Sequence, residues 1–415
     1  MGHPQLPPIW TVTLPSHWAT APERMSVSAL LQMESCPKRW SLSHADYSDL
    51  WGYDGYPPKP NLAALKGTIV HRALAKVVTA LVSAGCCSIL DVDAIAAIAT
   101  AGGYTQIIDA ATRQLLDETR RNPRSARAMH ILRRKLTSHT PSIRHCVQTL
   151  LARLDLASVR APRSRAPAGT TLERRPLGFG THSEVHLYAP SLRWVGAADI
   201  LSLSQGGCEM IDFKTGAPRP HHPFQIRVYA LLWSRDPVLN PAARVADSLT
   251  LSYPTEETMV PPPTARGLEL LAQELRERSI AARAAVAGEC PQATPAPEEC
   301  ALCDVRQLCD EYWDTAPPLT RAPDYPHSVW MDVQVRLTRQ TGLLQWEAVW
   351  EKPSTTPREA AVSVGWSRAD AAAASNWRSG WRIRLLDVLL TPPEDGGSEP
   401  RVASGGMSEA FLVPD

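Results

Sequence analysis

The sequence has almost no net charge and no long uninterrupted apolar segment. Its 43 Lys and Arg against 42 Asp and Glu give a formal charge of +1, so total charge does not indicate a nucleic acid, a membrane surface or another charged partner. No apolar run approaches the roughly 20 residues of a membrane span, and the first residues lack the charged and apolar regions of a signal peptide. We therefore expect a cytoplasmic protein.

A phosphate-binding loop of the kind used by nucleotide-driven motors is also missing. The pattern G-x-x-x-x-G-K-[ST], whose backbone cradles nucleotide phosphates, occurs nowhere in the 415 residues. Any motor that works with this chain would be a separate protein.

Nine cysteines are present, and their spacing indicates metal or cluster ligation. The cytoplasm keeps thiols reduced, so disulfides are not expected there. Cys300, Cys303 and Cys309 form a compact C-x2-C-x5-C group, and Cys36 lies far upstream. Four thiolates suffice for either a structural zinc ion or a 4Fe-4S cluster.

Changes in hydrophobic period divide the chain into three predicted parts. Residues 1–24, rich in Pro and Trp, are expected to form a surface arm. Residues 25–320 begin with helical periodicity, including a helical insertion at about 85–165, and continue with short strands around a helix at Phe224–Trp233. This order predicts a mixed α/β domain with helices against a small sheet. Residues 322–415 carry five strand-like runs with a short helix, Ala369–Ala374, between the third and fourth, which is the order of an OB-fold.

The most informative residues are two aspartates and a lysine in adjacent predicted strands. Asp212 and Lys214 are separated by one residue on a strand and therefore project from the same face, while Asp199 lies on the preceding strand of a hairpin. Hard divalent ions such as Mg²⁺ or Mn²⁺ prefer carboxylate oxygens. Such a site could hydrolyse phosphodiesters, with the lysine orienting a water molecule or neutralising negative charge.

Further segments accompany these residues in an order typical of one family. Gly67-Thr68-Ile69-Val70-His71 resembles a helix-borne Gly-x-x-x-His motif, and Gln225-Ile226-Arg227-Val228-Tyr229 resembles a Gln-x-x-x-Tyr helix. Gly196-Ala197-Ala198-Asp199 stands where the family commonly has Gly-x-Ile-Asp. With Asp212 and Lys214, these segments make residues 26–315 resemble the PD-(D/E)XK nucleases of the RecB, AddB and CRISPR-associated exonuclease type.

The resemblance implies a restriction-endonuclease-like core and a role for each matched residue. The implied ligands of Mg²⁺ or Mn²⁺ are His71, Asp199, Asp212 and the Phe213 carbonyl. Lys214 would be the catalytic lysine, and Gln225 and Tyr229 would contact DNA or steady the metal-bound water. The family has an additional upstream acidic residue, for which Glu173 and Glu184 are rivals that spacing does not separate.

The cysteine spacing resembles the iron-sulfur site of the AddB-type and CRISPR-associated nucleases. One early cysteine, Cys36, is followed after the whole core by the C-x2-C-x5-C group. The resemblance implies a 4Fe-4S cluster rather than zinc. Such a cluster would tie the two ends of the domain together and close a long loop.

Two regions are predicted to contact nucleic acid. Basic residues crowd the interval from Arg120 to Arg175, and Arg133, Arg134 and Lys135 form its densest group, which predicts a phosphate-binding surface or a solvated helix face. The last 94 residues contain six tryptophans between Trp330 and Trp381. These rings could stack on the bases of a single strand, or they could form the core and dock a protein partner.

The sequence thus favours a Mg²⁺- or Mn²⁺-dependent deoxyribonuclease, and we expect an exonuclease rather than an endonuclease. Single-stranded DNA or strand ends are the expected substrate, and DNA repair, spacer processing or antiviral defence the expected setting. The alternative is a nuclease-fold subunit that binds DNA or assembles with a separate helicase or defence complex. The intact Asp199, Asp212 and Lys214 favour activity.

Overall fold

The computed structural model describes residues 10–52, 54–157, 174–288, 290–315, 320–322, 327–353, 360–366, 376–393 and 399–414. The helices are α1 Val27–Ser35, α2 Pro37–His44, α3 Ser48–Trp51, α4 Leu62–Ala84, α5 Ala94–Thr100, α6 Gly103–Thr119, α7 Pro123–Ala126, α8 Met129–Ser138, α9 Thr140–Leu151, α10 His222–Ser234, α11 Ala265–Val286, α12 Pro297–Ala301 and α13 Asp310–Asp314. The strands are β1 Trp10–Thr11, β2 Gly180–Ala189, β3 Trp194–Leu203, β4 Cys208–Phe213, β5 Ser248–Ser252, β6 Glu257–Val260, β7 Thr320–Arg321, β8 Val329–Gly342, β9 Gln345–Lys352, β10 Ala361–Gly365, β11 Arg382–Thr391 and β12 Arg401–Val413.

Side-chain caps explain where two helices begin: α1, which precedes Cys36, and α4, which contains His71. The Ser26 side chain accepts a hydrogen bond from the Ala29 amide at the start of α1, and the Asn61 side chain accepts from two amides at the start of α4. Both caps satisfy amides that have no partner within the helix. At the other end of α4, Gly85 adopts a left-handed conformation with φ of 79°, which glycine tolerates best.

The α/β region, residues 24–315, is built on a five-stranded sheet in the order β2-β3-β4-β5-β6. Strands β4 and β5 are parallel, and the other neighbours are antiparallel. Helices cover both faces: α4 and the helices of the insertion pack with Ile200 and Ile211, while α1, α10 and α11 pack with Leu201 and Met210. The predicted mixed α/β arrangement is confirmed, and β6 is an additional strand.

Helix α4, Leu62–Ala84, is long and apolar enough to be a candidate membrane span by length and composition, although Lys66, Arg72 and Lys76 interrupt its apolar residues. Its apolar face is nevertheless in the core, where Ile69, Leu74 and Val77 are buried against the helical insertion. Composition alone cannot separate a long core helix from a membrane helix.

The C-terminal strands β8–β12 form a closed barrel. Its ring runs β8-β9-β10-β12-β11 and closes where β11 pairs with β8. Strands β10 and β12 are parallel, and the other neighbours in the ring are antiparallel. The predicted helix Ala369–Ala374 lies outside the described residues.

Contacts from distant parts of the sequence fix the barrel against the α/β region. Near the N-terminus, where a surface arm was expected, β1 pairs in parallel with β12 and Trp10 is buried against Phe411. From the helical insertion, Arg124 donates two hydrogen bonds of 2.8 Å to the buried Glu409 carboxylate. These contacts hold the barrel against the α/β region.

Candidate active site

The site lies where the middle of β3 and the C-terminal end of β4 meet α4 and α10. Asp212 on β4 is 3% exposed, and the Lys214 Nζ lies 2.5 Å from its Oδ2. Alternation along the strand places both side chains on the same face, as the sequence predicts. An ammonium and a carboxylate therefore meet at the base of a recess.

His71 is brought to this point by α4. Its Nδ1 lies 2.9 Å from Oδ1 of Asp199, and Oδ2 of Asp199 accepts a hydrogen bond of 2.6 Å from the Phe213 amide. Asp199 thus joins the helix to the end of β4. Gly67 permits this approach, because a Cβ there would come 3.0 Å from Oγ1 of Thr215.

Glu184 on β2 completes a group of side chains that could hold a metal ion. Ser183 pairs with Ile200 and Val185 pairs with Ala198, so the register places Glu184 opposite Asp199. Ligand atoms of Glu184, Asp199 and His71 all lie within 4.8 Å of one another. The backbone φ of Glu184, 52°, is unusual for a residue other than glycine and marks a strained position of the kind found at functional sites. The rival Glu173 lies outside the described residues.

Crowded negative charge shapes the protonation of the site. Burial and the neighbouring Asp199 raise the pKa of Asp212 to about 6, against the opposing effect of Lys214. Burial lowers the pKa of His71, but its hydrogen bond to Asp199 and the nearby carboxylates raise it to a net value above normal. Partial burial and the charge of Asp199 raise the pKa of Glu184. A divalent cation would relieve this repulsion and displace the protons.

These residues fit a divalent metal ion. The Oδ2 atom of Asp212 is buried without a hydrogen bond of suitable geometry, although Lys214 lies beside it. Three oxygen ligands from carboxylates and one imidazole are a donor set that Mg²⁺ or Mn²⁺ accepts. The candidate ligands are His71, Glu184, Asp199 and Asp212. Phe213 lines a cavity of about 400 Å³ together with His71, Asp199 and Asp212, and its carbonyl remains the ligand that the resemblance implies.

The lysine is held from α10 by a chain of hydrogen bonds. The Lys214 Nζ donates to Oε1 of Gln225 at 2.9 Å, and Nε2 of Gln225 donates to the Tyr229 hydroxyl at 2.6 Å. Gly196 makes room for this arrangement, because a Cβ there would approach the Tyr229 ring to 2.8 Å. Gln225 and Tyr229 therefore position Lys214 from one helical turn of α10.

His222 and Arg219, which the sequence motifs do not single out, also line the recess. Nδ1 of His222 accepts a hydrogen bond of 3.3 Å from the Arg219 amide and lies 2.7 Å from the Tyr253 hydroxyl. Burial and the nearby charge of Lys214 lower the pKa of His222 to about 4. His222 is thus neutral at pH 7. His222 lies three residues before Gln225, the first residue of the Gln-x-x-x-Tyr segment, and belongs to none of the sequence motifs.

The four predicted cluster cysteines line one small, mostly apolar cavity. Cys36 lies at the start of α2, and the other three lie around α12 and α13. Burial raises the pKa of Cys303 to about 11 and that of Cys309 to about 12, so bound positive charge is needed to hold them as thiolates. Next to them, the Lys38 Nζ lies 2.7 Å from Glu311 and ties the two ends of the α/β region together.

The basic residues and tryptophans that were predicted to contact nucleic acid lie away from the site or are largely buried. Arg133, Arg134 and Lys135 are exposed on α8, and none of them lines the cavity that contains Asp199 and Asp212. Four barrel tryptophans are buried in the barrel core: Trp346, Trp350, Trp366 and Trp377. Trp330 and Trp381 are half-buried.

Comparisons with known proteins identify the superfamily of the chain. A family model described as the PD-(D/E)XK nuclease superfamily matches residues 24–310, which is more than half of the chain. Among solved structures, the crystal structure of SSO0001 is 20% identical, with a TM-score of 0.21, and the match covers 32% of this chain and 61% of that chain. This match therefore spans less than two-thirds of the length of SSO0001. A search of curated proteins found no significant match.

Proposed function

Because the chain belongs to the PD-(D/E)XK nuclease superfamily, we propose that it is a deoxyribonuclease that depends on Mg²⁺ or Mn²⁺. One observation carries the proposal. Ligand atoms of His71, Glu184 and Asp199 converge within 4.8 Å, beside the buried Asp212 and its Lys214 partner. Ion pairs that only stabilise a fold rarely leave carboxylates and a lysine facing one recess.

Different residues of the site would hold the metal ion, orient the attacking water and position the lysine. A divalent ion held by these residues would supply Lewis-acid chemistry, that is, polarisation of the phosphodiester and a lower pKa for a water molecule. Glu184, Asp199 and Asp212 supply the negative charge that holds it. Lys214, fixed by Gln225, orients the attacking water or neutralises charge that develops on the phosphate. Tyr229 acts through Gln225 as a positioning residue.

The recessed position of the site supports a single strand or a strand end as the substrate. It also supports exonuclease rather than endonuclease action. The side chains of Asp199 and Asp212 are only 11% and 5% exposed. A flexible strand can bend to bring its backbone into such a recess, whereas a duplex is stiff over about 150 base pairs.

We further propose that Cys36, Cys300, Cys303 and Cys309 bind a 4Fe-4S cluster, because their spacing resembles that of the AddB-type and CRISPR-associated nucleases. In a tetrahedral zinc site, zinc–sulfur bonds of about 2.3 Å place the sulfur atoms roughly 3.8 Å apart. Among the described residues, no three cysteine sulfurs lie within 4.8 Å of one another. The wider spacing supports a cluster over a single zinc ion.

For the barrel we propose an OB-like fold that forms its own domain from about residue 322. The ring order and the parallel pairing of its third and fifth strands support this assignment. Burial of four tryptophans favours a packing and docking role over base stacking. The nuclease domain would span residues 25–320, with its insertion at about 85–165.

The complete set of acidic residues and lysine favours a catalytic role over the alternative of a subunit that only binds DNA or assembles with a helicase or defence complex. We propose action in the cytoplasm, in DNA repair, spacer processing or antiviral defence.

Metal binding and cleavage, measured separately, test the assignment of roles. Mn²⁺ binding is followed by calorimetry, and cleavage by release of label from single-stranded DNA. Asp199→Asn should weaken both, whereas Lys214→Gln should retain Mn²⁺ and lower cleavage by about 100-fold. Full cleavage by Lys214→Gln, or full Mn²⁺ affinity in Asp199→Asn, would contradict the assigned roles.

A further inference from the structure

A second cavity, of about 1240 Å³, adjoins the metal site. Its walls come from α4, α6 and β2, and we call it the basic groove, defined by Thr68, Arg72, Lys76, Gln106, Arg113 and Ser183. His71 lines both the basic groove and the recess around Asp212. Glu184 lines the groove and also belongs to the metal-binding set. The groove therefore opens directly onto the atoms proposed to act on a phosphodiester.

Side chains on α4 form a continuous polar track along the groove. Thr68, Arg72 and Lys76 are spaced four residues apart, so they lie above one another on a single face of the helix. This face leads away from His71 along the helix axis. Arg113 on α6 lines the opposite wall, so cations face the groove from both sides.

The charge of the groove suits a polyanion. Lys76 and Arg113 are exposed and form no ion pair with any residue that the structure describes. Arg72 is held by a contact of 2.7 Å to Glu118, which does not line the groove. Within the described chain, Glu184 is the only carboxylate in the lining. Two available cations and one fixed cation thus lie next to a single acid that a bound metal would neutralise.

The neutral lining indicates which part of a polynucleotide the groove contacts. Apart from the imidazoles of His71 and His186, no described aromatic ring lines it. Stacking on rings is the usual way in which proteins hold the bases of single strands. Hydroxyl and amide groups such as those of Thr68, Gln106 and Ser183 instead suit phosphate oxygens.

We propose that the basic groove binds the phosphate backbone of one DNA strand and leads that strand to the metal site. This inference rests on the proposed nuclease function and adds to it the path of the substrate. Lys76 and Arg113 are the phosphate-binding residues, and binding depends little on base identity. The basic group on α8, Arg133 to Lys135, lies outside this path.

Binding is tested with a fluorescent single-stranded oligonucleotide, in EDTA, on the full-length chain carrying Asp212→Asn to prevent cleavage. Lys76→Ala with Arg113→Ala is compared with Arg266→Ala with Arg276→Ala, which removes the same charge from exposed positions on α11. The groove variant should bind at least about fivefold more weakly, and the slope of log affinity against log salt should become shallower by about 1.4 for the two lost phosphate contacts. A loss no greater than that of the α11 variant, or an unchanged slope, would overturn the groove.

Two further measurements complete the test. Oligo-dT and oligo-dC should bind with affinities within about tenfold of each other, and a larger preference would overturn backbone recognition. Cleavage of the same strand in Mn²⁺ by the wild type and by Asp212→Asn tests the nuclease function alone. If cleavage needs Asp212 but the groove variant binds normally, the groove proposal is rejected and the nuclease proposal is retained.

Discussion

At the scale of single residues, the site depends on close approach between backbone and side chains. Gly196 precedes Asp199 on β3, and its missing side chain leaves space for the Tyr229 ring. Tyr229 in turn fixes Gln225, which fixes Lys214. The glycine therefore acts on Lys214, the proposed catalytic lysine, through two intervening side chains.

Substitution of this glycine should disturb catalysis. In Gly196→Ala, the added methyl group would push Tyr229 and displace Lys214, and displacements of about 1 Å can lower rates by about 100-fold. We expect cleavage of single-stranded DNA to fall by about 10- to 100-fold. Gly206→Ala is the matched control, because its Cβ would meet no atom closer than 3.6 Å. Equal rates for both variants would show that Tyr229 does not position Lys214.

His222 predicts a pH dependence of stability. Its pKa is lowered to about 4 in the folded chain, whereas the ordinary value in an unfolded chain is about 6.5. The unfolded chain therefore binds the proton more readily, and the contribution of neutral His222 to stability is present above about pH 6.5 and is lost as the pH falls toward 4.

Urea unfolding between pH 7.5 and 4.5 measures this contribution. The unfolding midpoint of the wild type should fall more steeply with decreasing pH than that of His222→Asn, which cannot take up a proton at this position. Parallel curves would show that His222 does not contribute. Comparison of the two curves removes the effect of other titrating groups.

At the scale of elements, the sequence predicts what is local and misses what depends on three-dimensional pairing. Helix α4 is predictable because the Asn61 cap and the apolar spacing are both local. Strand β6 is not, since three of its four residues are exposed and it is stabilised by pairing with β5. Sequence spacing could not choose Glu184, whereas the pairing of β2 with β3 places it opposite Asp199.

Charged surfaces follow the same rule. Arg133, Arg134 and Lys135 stand out because they are consecutive in sequence. Lys76 and Arg113 come from different helices, and only the packing of α4 on α6 makes them neighbours in one groove. Likewise, no local pattern near Trp10 indicates that it pairs with the last strand of the chain.

The cysteine cavity joins α2 to α12 and α13 and should govern the stability of that junction. If it holds a 4Fe-4S cluster, protein purified without oxygen should contain close to four iron atoms per chain. Cys303→Ser should lose the iron and unfold at a lower temperature, because the link between the two ends of the region is lost. Cys87→Ser, at an exposed cysteine in the helical insertion, should keep both properties. Stoichiometric zinc in place of iron would contradict the cluster.

At the scale of the whole molecule, a buried network of charges holds the barrel to the α/β region. Arg124 contacts Glu409, and Lys59 contacts both Glu409 and Asp387. Arg306, next to the cysteine cavity, contacts Asp332 and Asp387. The opposing charge of Arg124 and Lys59 outweighs burial and holds the pKa of Glu409 well below its usual range.

Removal of one member of this network should destabilise the whole chain. Glu409→Leu leaves Arg124 buried without its carboxylate, and breaking a buried pair costs about 3 to 5 kcal/mol of unfolding free energy. Thermal unfolding should therefore shift to a clearly lower temperature. The exposed pair of Arg339 and Glu347 provides the control, since Glu347→Leu should have little effect. Similar losses in both variants would mean that the buried network does not hold the barrel in place.

The central claim is that Asp212 and its neighbours form a metal-dependent nuclease site. Its most direct test is the degradation of end-labelled single-stranded DNA in Mn²⁺ by the wild type, Asp212→Asn and the control Asp93→Asn, which changes an exposed aspartate of the insertion. We expect the wild type and Asp93→Asn to degrade the strand at equal rates, EDTA to stop them, and Asp212→Asn to be at least about 100-fold slower. Degradation by Asp212→Asn at the rate of the wild type would contradict the claim.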